Sequence, residues 1–307
     1  MQPSKKPFQG PSRISMRMKN GVSVRKAYAV LAAVLLVCST IILAYSGVAA
    51  DNSVDFIVYS DTHIGRGATI KSGSDNLSSL ERYAMLLGST NQYSATVMIN
   101  NGDLTDGWYL NNSKQTLMYQ DYLRLTKLGH NPTVSIKGNH DCNVSMFIEL
   151  FHRTTEVTVK NDVLAIMLGS KNQDCQEWMT QGTTYQQYQI DVLNRTICST
   201  TWNNTKYHFL FMHYTPDSTW PNSTAFHLPD AMKPYYQYFT LVFCGHEGGP
   251  AQVSTQQGAT VIHAAHLADG KLATDTYLTV KIDRTTNTVN VRTVNFVTAQ
   301  TTLLFSV

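Results

Sequence analysis

The sequence predicts an α/β fold in which βαβ units build a mainly parallel sheet and later antiparallel strands complete a second one. Short apolar runs alternate with segments of helical period through the middle of the chain. From about residue 259 the pattern changes to strands joined by turns, with Asp283 to Asn287 reading as a hairpin. No repeat and no Pro-rich or Gly/Ser-rich linker follows residue 51, so 51–307 reads as one domain.

In chain order the first strand is VDFIVYS (54–60). Leu77, Leu80, Ala84 and Leu87 then share one helical face. ATVMIN (95–100) is the second strand, and 113–128 is a helix carrying Leu117, Tyr122, Leu125 and Leu128. TVSIK (133–137) and VLAIML (163–168) follow as strands. Thr184 with Gln187 forms a capping box ahead of Tyr185, Tyr188 and Val192. YHFLFMH (207–213) and TLVFC (240–244) are the next strands, and the aromatic run at 235–239 reads as a packed helix end. ATVIHA, TYLTVKID and NTVNVRTVNF close the chain as turn-linked strands.

The N-terminus has a different character. Residues 1–50 hold seven basic residues and no acidic one, although the whole chain has a net charge of only +3. The remaining 17 basic residues therefore face all 21 acidic ones, a net of −4 that argues against a nucleic-acid partner. Residues 27–50 carry no charge and are long enough to cross a bilayer as a helix. With the basic tail (1–26) before it, this segment predicts a membrane partner, a cytoplasmic tail and a domain outside the cytoplasm. Small residues at Gly47-Val48-Ala49-Ala50 offer a cleavage site, which would make the protein secreted. The length of the apolar run and of the basic segment favours an uncleaved anchor. Export agrees with six N-x-S/T sequons, at Asn76, Asn111, Asn143, Asn194, Asn203 and Asn222. Of the four cysteines in the body, Cys175 and Cys198 are the expected disulfide, with free buried thiols as the alternative.

In open α/β sheets ligands gather at the carboxyl ends of strands. Five clusters sit there: Asp61-Thr62-His63, Asn101-Gly102-Asp103-Leu104-Thr105-Asp106, Gly138-Asn139-His140-Asp141, His213, and Gly245-His246-Glu247-Gly248. Singly, each is a cap, a turn or a packing residue. Together they bring carboxylate, amide and imidazole donors to one edge, a set suited to Zn, Fe or Mn without any cysteine. A carboxylate shared by two divalent ions, with an imidazole beside it, is the equipment for phosphoester hydrolysis.

The ordered motifs DTH, GD, GNHD, the His of FMHYTP, and GHEG resemble those of the calcineurin-like metallophosphoesterases, from about residue 54 to at least 250. The resemblance implies a two-sheet β-sandwich flanked by helices and two divalent metal ions, Mn, Fe or Zn. It implies attack on a phosphomonoester or phosphodiester substrate by a metal-bridging hydroxide. Asp61 and His63 would hold the first ion, Asp103 would bridge, and Asn139, His213 and His246 would hold the second. His140 would contact the substrate as acid or electrostatic stabiliser, oriented by Asp141. One departure stands out: the family's G-H-x-H would place a ligand histidine at 248, where this chain has Gly248. The first ion then binds weakly, takes water in that place, or gains another ligand, for which His263 and His266 on the next strand are the candidates. The alternative reading is a binding or scaffold domain of the same fold with weakened catalysis.

Overall fold

A computed structural model describes residues 53–65, 78–107, 112–152, 154–170, 187–216, 230–267 and 274–307. The chain divides between Asp51 and Asn52, and every described residue lies in the second unit. The apolar run at 27–50, the residues Thr184 and Tyr185, and the loop aromatics Trp108, Tyr109, Trp220 and Phe226 lie outside the description. Among the described residues no helix is long and apolar enough to cross a membrane.

The described residues form two six-stranded mixed sheets. The first runs β12 (Thr301–Ser306), β11 (Thr288–Asn295), β10 (Thr276–Asp283), β1 (Ser53–Tyr59), β2 (Ser94–Asn100), β3 (Thr133–Ser135). The second runs β4 (Thr155–Lys160), β5 (Val163–Leu168), β6 (Tyr207–Met212), β7 (Leu241–Cys244), β9 (Ala259–His263), β8 (Gln252–Gln256). β1, β2 and β3 are parallel, as are β5, β6, β7 and β9. The expected single parallel sheet is thus two parallel halves, one in each layer. β10 and β11 do not build a separate sheet but extend the first one antiparallel from β1, with Phe56 opposite Val280. Their alternation shows which side chains turn inward, and it carries no record of which strand they join.

Phe56, Val58, Leu278 and Val280 from the first sheet meet Phe209, Phe211, Phe243 and Ile262 from the second in the central core. Phe211 stacks on Phe243 at 5.0 Å between ring centres and meets Phe56 edge-on at 5.4 Å. β5 is buried along its whole length because helices cover its other face, as parallel strands require.

On the outside of the first sheet lie α1 (Ser79–Thr90), α2 (Asn112–Thr126) and α3 (Val144–Phe151). Outside the second lie α4 (Gln187–Ile197) and α6 (Lys233–Tyr236), with α5 (Thr200–Asn203) between them in the chain. Ser78 and Glu81 close a capping box at the start of α1. The buried face of α1 is rotated from the expected one: Arg82, Tyr83, Leu86 and Leu87 turn inward while Leu80 and Ala84 lie at its margin. Arg82 is tolerated there because Asp275 pairs with its guanidinium. On α2, Gln115, Tyr119 and Tyr122 are buried, and the expected core residue Leu117 is exposed, as is Leu128 beyond the helix end at Thr126. The run at 235–239 does pack, through Tyr236 and Phe239. Cys198 is a free thiol, which overturns the Cys175–Cys198 pairing; Cys142 is the disulfide-bonded residue.

Candidate metal centre

Strands β1, β2, β3, β6 and β7 deliver their ends to one edge. The loops after β1 and β2 are laced together there by backbone hydrogen bonds. The amide of Asp61 donates to Gly102 O at 3.0 Å and that of His63 to Asp103 O at 2.9 Å. This lacing forces sharp turns. Asp61 (φ 56°), His63 (φ 42°), Asp103 (φ 54°) and His246 (φ 69°) all adopt left-handed backbone. Such conformations cost about 1–3 kcal/mol each for non-glycine residues and persist only where surroundings impose them. Gly138 is needed for close approach, since a Cβ there would lie 2.2 Å from the Asp103 amide nitrogen.

Asp103 sits at the middle. Its Oδ2 is 3.4 Å from His213 Nε2, 3.8 Å from His63 Nε2 and 4.0 Å from His140 Nε2. Its Oδ1 accepts the His140 amide at 2.8 Å. Two clusters suited to a metal ion follow, His63–Asp103–His140 and Asp103–His213–His246, and Asp103 belongs to both. Asp61 Oδ1 is 3.6 Å from His63 Nε2, and Asn139 Oδ1 is 2.8 Å from His213 Nε2. The six expected ligands therefore converge. His213 Nδ1 donates to Asn101 O at 2.8 Å, which aims Nε2 at Asn139 and Asp103.

The charges are interdependent. Burial would raise the Asp61 and Asp103 carboxyls, but histidines outweigh it and hold both below the usual range. His266 contributes most at Asp61 and His213 most at Asp103. Burial would lower His213, yet Asp103 and Asp61 push it up to about 9. His246 goes the other way, pushed down to about 3 by burial and the neighbouring His213. Asp61 Oδ1 is buried and lacks a hydrogen-bond partner among the described residues. A buried, ionised oxygen with no donor fits a site built for a cation. The mixed oxygen and imidazole set fits divalent metals of the Mn, Fe and Zn type.

His140 is half-buried at the mouth, edge-on to His63 at 4.7 Å. Its Nδ1 lies 2.8 Å from Asp106 Oδ1. Asp106, not Asp141, therefore orients the ring. Asp141 instead accepts the amides of Gly138, Leu104 and Thr105, tying the β2 and β3 loops together. Burial, with Asp103 nearby, raises the Asp141 carboxyl. The sequence places Asp106 in the same strand-end cluster as Asp103, where a capping or turn role outweighs a catalytic one. The replacement candidates separate clearly. His263 Nε2 turns to Ser254 Oγ at 2.9 Å, whereas His266 Nε2 lies 3.1 Å from Asp61 Oδ2.

A two-layer sandwich with a carboxylate shared between two ligand clusters at its strand ends defines a metallophosphoesterase-type protein. The family model for calcineurin-like phosphoesterases matches residues 54–250, and the chain belongs to that family, which depends on a dinuclear metal centre. A dimetal phosphatase from Danio rerio is similar in fold, with a TM-score of 0.57 at 10% identity over 81% of this chain and 98% of that one. A purple acid phosphatase from yellow lupin (Lupinus luteus) seeds gives a TM-score of 0.53 at 11% identity, over 82% of this chain and 53% of that one. No curated protein sequence matches this one significantly.

Proposed function

We propose that this protein hydrolyses phosphomonoesters or phosphodiesters at a centre of two divalent ions. The observation that carries the proposal is the membership of Asp103 in both ligand clusters. Asp61 and His63 would hold one ion, Asn139, His213 and His246 the other, with Asp103 common to both. Ions so held supply neutralisation of phosphate oxygens and a water acidified to hydroxide.

The chain's own residues do the rest. His140 stands at the mouth with Nδ1 held by Asp106, which leaves Nε2 to hydrogen-bond a phosphate oxygen or protonate a departing alkoxide. Asp106 stabilises the protonated ring and limits its rotation. The amides that Asp141 ties together keep Asp103 and Asn139 in register.

The test uses the full chain in mild detergent, with aryl phosphate mono- and diesters and added Mn, Zn or Fe. Activity should vanish with chelator, and His140→Ala should lower turnover about 10²–10⁴-fold. Gly248 favours a second reading, a binding or scaffold domain. Folded protein inactive with every metal would establish that reading instead.

Export through an anchor at 27–50, with the domain outside the cytoplasm, belongs to the same proposal. The disulfide at Cys142 supports it, because such bonds persist in oxidising compartments. Among the sequons, Asn194 and Asn203 are exposed and open to glycan, whereas Asn143 is buried and caps α3. A glycosidase-sensitive mass that Asn194→Gln and Asn203→Gln reduce would support export; an unmodified chain from an exporting host would oppose it.

A further inference from the structure

We infer that the His266 imidazole serves as the ligand of the first ion that the motif lacks at Gly248. The inference rests on the two-ion reading above and concerns a residue outside the motifs that define it.

The chain path places His266 there. After β9 the backbone leaves the second sheet and crosses to the first. Ala264 N donates to Cys244 O at 2.7 Å, beside β7. Two residues later His266 forms a single parallel bridge with Ser60, and Leu267 N donates to Ser60 O at 3.2 Å. Ser60 immediately precedes Asp61. His266 N also donates to Gly249 O at 3.2 Å, which ties this crossing to the loop that bears Gly248. The imidazole is thereby buried between the two segments that a histidine at 248 would have linked.

The contacts of Nε2 indicate a cation. The Gly248 amide donates to His266 Nε2 at 2.8 Å, so that nitrogen presents its lone pair. The same atom is 3.1 Å from Asp61 Oδ2, an oxygen that already accepts the His246 amide at 3.1 Å. If Nε2 carried a proton for Asp61, the Gly248 amide would face an N–H instead of an acceptor. One nitrogen cannot serve both contacts, and a metal ion resolves the conflict by taking the lone pair in exchange for the Gly248 amide. The spacing agrees. Two ligand atoms each about 2.1 Å from an ion stand about 3.0 Å apart at a right angle and about 3.4 Å apart at a tetrahedral one, and the 3.1 Å found here lies between. His263 offers no such geometry, since its ring turns to Ser254 and Gln256 on β8. Gly248 (φ 72°) has no side chain to compete for the space the imidazole fills.

The test counts ions on the full chain in detergent, dialysed against Mn²⁺ and measured by elemental analysis. Wild type and His263→Ala should hold two ions per chain. His266→Ala and His266→Gln should hold one, with first-site affinity lowered at least about 100-fold, beyond what an outer-shell partner usually contributes. The Gln variant, close in size to His, carries the test if the Ala variant does not fold. In the Co²⁺-loaded chain, one hyperfine-shifted imidazole N–H proton should disappear in His266→Gln, a signature that a merely structural histidine would not give. Two ions at unchanged affinity in both variants, an unaltered Co²⁺ spectrum, or a single ion in wild type would overturn the assignment. A wild-type chain that binds no ion would overturn the two-ion reading itself.

Discussion

The first sheet brings Asp61, Asp103 and Asn139 to the shared edge, all the oxygen ligands of the expected set, together with His63 and His140. The second sheet brings His213 and His246, imidazoles only. Charge effects cross the boundary between them: His213 lowers Asp103, and Asp103 raises His213. Neither layer holds a complete site. The centre comes into being when the layers pack, and the contact is tight. A Cβ on Gly245 of the second sheet would lie 2.9 Å from Asp61 Oδ2 of the first. The inter-sheet core is therefore part of the metal chemistry, because it sets the spacing of ligands that no single sheet can provide.

Removing the one carboxylate that both clusters share should give the largest effect. Asp103→Ala is expected to bring phosphoesterase turnover to background and to release both ions, checked by steady-state assay and elemental analysis of folded protein. A variant that kept both ions would break the idea that the halves are joined through this side chain. Next is the packing that holds the layers in register. Phe211→Ala should destabilise the protein by about 3–5 kcal/mol, read from urea unfolding, because the ring is fully buried between the sheets. A smaller effect is expected within the first sheet's own contribution. Asp106→Asn should lower kcat about 10–100-fold with little change in KM, as loss of a group that orients another.

The smallest effect lies far from the centre and calibrates the rest. On β6, His208 stacks on Trp202 at 3.7 Å, and its Nε2 lies 3.0 Å from Thr205 Oγ1. Burial lowers its pKa. A histidine with a depressed folded pKa contributes stability that is whole above its unfolded value, about 6.5, and is lost as pH falls toward the folded value. The melting-temperature advantage of wild type over His208→Asn should therefore shrink as pH drops from 7 to 5. An advantage that grew instead would mean the ring is charged in the fold.

The strands that carry ligands were legible because apolar runs end in polar clusters at Asp61, Asp103, Asn139, His213 and His246. Elements without that contrast escaped notice. β4 (TEVTVK), β8 (QVSTQ) and β12 (TTLLFS) are edge strands with exposed polar positions and little apolar periodicity. The α1 face was misplaced because its inward stripe includes Arg82, which sequence alone assigns to solvent and Asp275 makes tolerable. The layer that receives β10 and β11 depends on pairing partners more than 200 residues away, such as Phe56 opposite Val280. In the site, the ligand types were readable from motifs, but the support of His140 was not. Asp141 is next to His140 in sequence and Asp106 is 34 residues away, and only the folded path decides which one reaches Nδ1.

The left-handed backbone at Asp61, His63, Asp103 and His246 has an evolutionary consequence. Glycine would relieve these torsions, but at Asp61 or Asp103 it would also remove a carboxylate that pairs with buried histidines. A screen that rewarded heat resistance alone, with no demand for turnover, would show how much of this edge is kept for function and not for the fold.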